Sequence, residues 1–324
     1  MSLRFILRGA ASCALALLVS SAASRAAELF YMDRDPFNNQ YTGPVGPLVL
    51  SGEIVPGDYA KLLARIAEDP ERFLERNKLF LASSDGNAAE AIKIAKLLRA
   101  LYTEVIVGPL TGRCVGACFL IYSAASERGT DSDNLLGIHR VGLAESEWVS
   151  RPTSEAALIE DSLQTPVRDF LAENEVPSEL VDELFKHLPT DVYWLTEHDE
   201  ERLGVKSAAF QKFLAKNCAW DDALEKAVFK GERLEEMRAL SACRARVTLP
   251  AGRKALAQAL KEKALEDKAS EVKALGGKPS EGKPPEAKAP EAKAPEGKAP
   301  EGKAAAPKPR PDAGAVVGAR TSAP

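Results

Sequence analysis

Histidine, cysteine and aromatic residues are all scarce in this 324-residue chain, which holds three His, five Cys and 6% aromatic residues. His139, His187 and His198 stand in no HExxH pattern and no CxxC pair occurs, so neither common zinc signature is present; we expect no metal and no cofactor. Spanning a bilayer as a helix takes about 18–25 apolar residues, and the apolar run Gly9–Val19 is shorter than that. A basic face is also missing. Residues Glu28–Pro250 carry 25 basic and 37 acidic side chains, net −12, and the following stretch to Pro324 has no aromatic residue. Nucleic-acid binders need cations to neutralise phosphates and often flat rings to stack on bases, so nucleic acid is excluded as a partner.

The two ends differ in kind from the middle. Arg4 and Arg8 precede the apolar run, and small-residue sites follow at Ser21-Ala22-Ala23 and Ser24-Arg25-Ala26, the layout of a cleaved signal peptide over residues 1–27. The expectation is export to the periplasm or beyond, with no stable membrane span after cleavage. At the other end, residues 251–324 hold 10 of the 21 prolines and a net charge of +5. The five-residue repeat PEAK-APEAK-APEGK-APEGK runs from Pro285 to Lys303, and proline at every fifth place forbids a continuous helix. We read 251–324 as a disordered tail or spacer, although Ala, Leu, Lys and Glu favour a helix over Arg253–Leu275.

Between the ends, strand-like and helix-like stretches alternate. LVLSGEIV (Leu48–Val55), LFLASS (Leu79–Ser84), Glu104–Val107 and Leu135–Val141 read as strands. DYAKLLARIAE (Asp58–Glu68), AAEAIKIAKLLRAL (Ala88–Leu101) and Gly116–Ser126 read as helices. That succession predicts an α/β fold with a parallel sheet. Helices over Glu155–Glu173 and Ser178–His187, a strand over Val192–Thr196 and a short helix Glu197–Leu203 complete an α/β domain over residues 28–215, followed by a helical hairpin extension over 216–250.

Four cysteines outlast the leader, an even number that an oxidising compartment tends to pair. Cys218 and Cys243 flank two helix-like stretches, Asp221–Lys230 and Glu232–Ala242, that turn at Gly231, which brings the two sulfurs together. Cys114 and Cys118 are four apart. On one regular helix their β-carbons would be about 5–6 Å apart, too far for a disulfide, so they bond only if Cys114 lies outside the helix.

At this point the residues carry a family resemblance. LFLASSDG resembles the strand and glycine turn that supply oxyanion amides in the ClpP peptidase and crotonase superfamily. GRCVGACFLIYSAASER followed by LLGIHRV resembles the elbow bearing that family's nucleophile and the later strand bearing its histidine, and WLTEHDEERLGV resembles its final unit. The likeness spans about Leu48–Ser207 and is nearest to exported, periplasmic ClpP-like proteins with paired elbow cysteines. It implies a ClpP/crotonase-like parallel sheet of ββα units, with His139 as base, Gly116 at the nucleophile's place, and Gly86 and Ala117 as oxyanion or binding amides.

The departure from the pattern decides the expected activity. Gly116 stands where a serine peptidase has its nucleophile and has no side chain to attack with, while the acid's place falls on Leu188, with Asp191 three residues away. Acyl transfer needs a nucleophile, a base that activates it and donors for the oxyanion. The resemblance therefore implies a pseudoenzyme that binds a peptide or an exported protein in a degenerate peptidase cleft, and homo-oligomers as further assemblies. The alternative is an active serine- or cysteine-type hydrolase using His139 and an elbow residue such as Cys114 or Cys118. A crotonase-type enzyme is disfavoured by export, which removes acyl-coenzyme substrates. Ser84 and Ser123 read as backbone-bonding serines, His187 and His198 as exposed helix-end residues, and Trp148, Trp194 and Trp220 as packing residues.

Overall fold

The computed structural model of the chain describes residues 26–32, 46–108, 112–130, 135–219 and 233–275. The expected leader up to residue 25, Trp220, the turn at Gly231 and the proline repeats lie outside the described residues.

A five-stranded sheet carries the fold, in the order β1 (Glu28–Tyr31), β2 (Leu48–Ser51), β3 (Lys78–Ala82), β4 (Glu104–Val107), β6 (Glu127–Thr130). β2, β3, β4 and β6 are parallel, as the alternation of strands and helices predicts, and β1 joins the edge antiparallel to β2. The central strands are short apolar runs because both faces are covered; Leu48, Leu50, Leu79, Leu81 and Val105 are fully buried. A second, three-stranded sheet is ordered β5 (Cys114–Val115), β7 (Leu136–Ile138), β8 (Tyr193–Trp194), with β8 antiparallel to β7. The all-parallel expectation is thus corrected at β1 and β8.

Helices α1 (Asp58–Glu68) and α3 (Ala88–Ala100) cover the inner face of the large sheet. In α3 the small and branched residues Ala91, Ile94, Ala95 and Leu98 recur at helical spacing and are fully buried. Gly57 precedes α1 and offers no side-chain cap, so Glu90 of α3 accepts the Gly57 and Tyr59 amides at 2.9 and 2.8 Å. Helix α2 (Pro70–Arg76), absent from the sequence reading, starts on Pro70 with Asp69 accepting from the Arg72 amide and stops at left-handed Asn77. Helix α4 (Ala117–Ser123) is buried along its whole length, and its Phe119, like Phe73 of α2, contributes about 1.5–3 kcal/mol over an exposed side chain.

The chain then leaves the sheets for α5 (Glu145–Val149), α6 (Thr153–Glu173) and α7 (Ser178–Lys186), returns through β8, and continues in α8 (Glu197–Leu203) and α9 (Ala208–Cys218). Two boundaries move. The expected domain end at residue 215 falls inside α9, whose first turn Ser207 caps by accepting from the Phe210 amide. The expected tail start at 251 falls inside α10 (Leu234–Leu275), which runs through Pro250 and takes in the helix favoured over Arg253–Leu275. The helix is held to the domain by its few apolar residues: Leu256 and Ala259 are buried against the core, and Arg253 pairs with Glu71 of α2. Cys218 of α9 and Cys243 of α10 are bonded, with Cα atoms 5.7 Å apart. Closing a loop of this length stabilises by about 3.5 kcal/mol on the chain-entropy relation.

Candidate functional site

The C-terminal ends of the parallel strands converge where β3 passes from one sheet to the other. Beyond Ala82 the chain continues as Ser83-Ser84-Asp85-Gly86, flanked on one side by Ile54 through an Ile54–Gly86 bridge and on the other by Cys114 through a Ser83–Cys114 bridge. Gly86 has φ +148°, and a Cβ there would stand 2.2 Å from the Ile54 carbonyl oxygen, so only glycine permits this approach.

Next to this turn lies the elbow between β5 and α4. Cys114 ends up on the strand and Cys118 on the helix, and the two are bonded with Cα atoms 5.2 Å apart. The condition read from the sequence, that Cys114 leave the helix, is met. Neither sulfur is a thiolate, the form a cysteine nucleophile requires. Between them Gly116 adopts φ +59°, ψ −117°, a conformation that costs other residues about 1–3 kcal/mol. A Cβ on Gly116 would lie 2.6 Å from His139 Nε2 and 2.3 Å from Asp85 Oδ1. The elbow thus points its missing side chain at His139, and the Asp85 carboxylate fills the space.

Asp85 is the residue that the sequence reading missed. Its Oδ1 accepts the Ala117 amide at 3.0 Å, the Gly86 amide also donates to the carboxylate, and its Oδ2 lies 3.3 Å from His139 Nε2. His139 is 2% exposed, while the Asp85 side chain is 33% exposed and forms the solvent-facing wall. On the far side of the ring, Nδ1 stands 2.9 Å from the Arg140 carbonyl, which can only accept, so Nδ1 carries a hydrogen and Nε2 is presented to Asp85. Burial raises the Asp85 pKa above the ordinary carboxylate value. His139 and the Ala117 and Gly86 amides oppose that rise, and the nearby charge of Glu53 adds to it. Gly86 and Ala117, expected as oxyanion donors, do converge, but on a carboxylate belonging to the chain itself.

Other candidates fall elsewhere. Asp191 pairs with His187 Nδ1 at 2.9 Å rather than with His139, and Leu188 is exposed, so no acid from the final unit supports His139. His187, expected to be exposed, has a side chain only 17% exposed, and Glu183 also reaches its Nε2 at 3.0 Å; His198 is exposed as expected. Ser123 donates to the Leu120 carbonyl at 3.0 Å inside the core, and Ser84 is exposed. Trp194 lies under the Arg113 guanidinium at 4.6 Å. Among the described residues no three His, Cys, Asp or Glu side chains form a group able to hold a metal ion. One signal for Asp85 was available: an acid beside a glycine in a strand-end turn that the topology aims at a histidine strand.

No family model, no curated protein and no solved structure matches the chain.

Proposed function

We propose that this chain is an exported ClpP-like protein of the cell envelope that has no peptidase activity and holds a peptide or protein partner in the degenerate cleft. One observation carries the reading: the space before His139, where a nucleophile's side chain would stand, is taken by the Asp85 carboxylate. That carboxylate also takes up the Gly86 and Ala117 amides, the donors that would otherwise meet a developing oxyanion. With the elbow sulfurs bonded to each other, neither is available to attack. Two disulfides suit an oxidising compartment, and no described helix is long and apolar enough to cross a membrane.

Losing the nucleophile leaves the strand ends and their main-chain groups, and main-chain pairing is what holds extended peptides in this kind of cleft. The test restores the missing part in two steps. Gly116→Ser alone should stay inactive, because its side chain meets Asp85 and His139. Combined with Asp85→Gly, it should hydrolyse a fluorogenic peptide and be labelled by a serine-directed phosphonate probe. Labelling or turnover by the unaltered protein would overturn the pseudoenzyme reading, and a folded but inert double variant would remove the support drawn from the elbow.

A further inference from the structure

Glu53 follows β2 and is 4% exposed. Its Oε1 accepts the Glu145 amide at 2.6 Å, and its Oε2, also cut off from solvent, has no hydrogen-bond partner among the described residues. A buried carboxylate oxygen without a donor is costly, and such groups are normally paired. The Ile54–Gly86 bridge sets Glu53 beside Asp85, and the charge of Glu53 is felt at the Asp85 carboxyl. Glu160 reaches the same place from α6. Its carboxylate accepts the Leu143 amide and stands 2.6 Å from where a Cβ on Gly142 would be, and Gly142 itself bridges to Asn87 at the end of the Asp85 turn.

Three carboxyl groups therefore crowd one end of the strands. Burial raises the pKa of Glu160, and the Asp85 charge adds to the effect; the Leu143 amide and Arg140 act against it. The basic side chains that act on Asp85 and Glu160 are already engaged, His139 at Asp85 and Arg140 as a donor to the Phe185 carbonyl. Among the described residues no three His, Cys, Asp or Glu side chains group to hold a metal ion, and what a buried carboxylate oxygen calls for is a hydrogen-bond donor, strongest when positively charged. An ammonium has three such donors, and a lysine stem of four methylenes can carry one past the exposed edge of Asp85 to a buried acceptor.

We propose that Glu53, Asp85 and Glu160 form a receptor for an ammonium group of the bound peptide, a lysine side chain or the chain's amino terminus, with Glu53 Oε2 as the innermost acceptor. This deepens, and rests on, the reading of the cleft as a peptide site. Chemical-shift titration of the full protein would compare four probes: Nα-acetyl-lysine methylamide, its Nε-acetyl derivative, and a lysine-free peptide with either a free or an acetylated amino terminus. The free ammonium forms should perturb the Gly86 and Ala117 amides and saturate, and acetylation should weaken binding about tenfold or more. The lysine and terminal arms identify which source the site prefers.

Glu53→Gln should weaken the ammonium probe by a similar factor, and Glu160→Gln, at a less buried position, should weaken it less while serving as the control if the first variant fails to fold. Equal binding of free and acetylated forms would overturn the receptor but leave the peptide cleft standing. Unchanged affinity in both variants, with water alone satisfying Glu53, would do the same. No binding of any probe or peptide would overturn both.

Discussion

His139 and His187 both face aspartates, at 3.3 Å from Asp85 and 2.9 Å from Asp191, yet the shift falls on a different partner in each pair. At the buried pair the shift falls on the acid: burial pushes the Asp85 carboxyl up, because a charge there loses water that two amides and an imidazole only partly replace. At the surface pair it falls on the base: hydrogen bonds that the ring donates to Asp191 and then Glu183 raise the His187 pKa, and Glu183 is lowered by Lys186 and His187. The same two residue types thus make a strained resident anion in one place and a solvated salt bridge in the other. The difference lies in what surrounds them.

Removing the histidines gives the largest contrast. His139→Ala deletes a buried ring and leaves the Asp85 carboxyl without its imidazole partner, which should cost about 2–4 kcal/mol in urea unfolding. His187→Ala should leave the midpoint close to that of the unaltered protein, since water replaces the lost contacts. Equal losses would end the distinction.

Neutralising the acids is subtler and separates the pairs by pH. A raised Asp85 pKa means that the folded protein holds this proton more tightly than the unfolded chain, so stability is lost as pH rises from the ordinary carboxylate value through the raised one. Asp85→Asn keeps an acceptor for the Ala117 amide and offers His139 Nε2 a hydrogen. It should gain on the unaltered protein across that window and differ little from it at lower pH. For His187 the stabilisation is full below the ordinary histidine value and fades as pH rises through its raised one. Asp191→Asn should pull that titration back towards the ordinary value, as read from the ring proton shifts. If Asp85→Asn instead lost stability at neutral pH, the resident carboxylate would be a stabilising charge and its description here would fail.

The smallest effect is that of salt. Raising ionic strength from 0.05 to 0.5 M, where screening shortens to a few Å, should lower the His187 pKa visibly and leave the Asp85 pH window in place. A parallel response of both would show that Asp85 is more solvated than its 33% exposure suggests.

Much of the architecture was legible before any coordinates. Helix α3 follows the apolar spacing of AAEAIKIAKLLRAL, and β2, β3 and β4 follow their short apolar runs. What escaped was polar on its face. Strand β6 reads Glu-Arg-Gly-Thr, and it is buried because Arg128 donates to the Leu203 carbonyl at 2.9 Å and Glu127 pairs with Arg244 of α10 at 2.6 Å. Burial lowers the Arg128 pKa to about 10. Helix α2 escaped for a similar reason, although its Pro70 start and Asp69 cap were present in the chain. At the site, His139, Gly116, Gly86 and Ala117 were named from the family resemblance and come together, whereas Asp85 was passed over as a turn residue.

The sequence by itself determined the alternation of the apolar strands and helices, the acidic charge of the folded part and the even cysteine count, because these depend on local periodicity and composition. It also set Gly116, with no side chain, between two cysteines. Only the tertiary structure decided that a carboxylate 31 residues upstream would fill the space beside that glycine, that the nearby cysteines would bond to each other, and that Glu53 would be left with an unpaired oxygen. Those outcomes depend on which groups share a small volume after the chain has closed on itself, and on how far that volume excludes water.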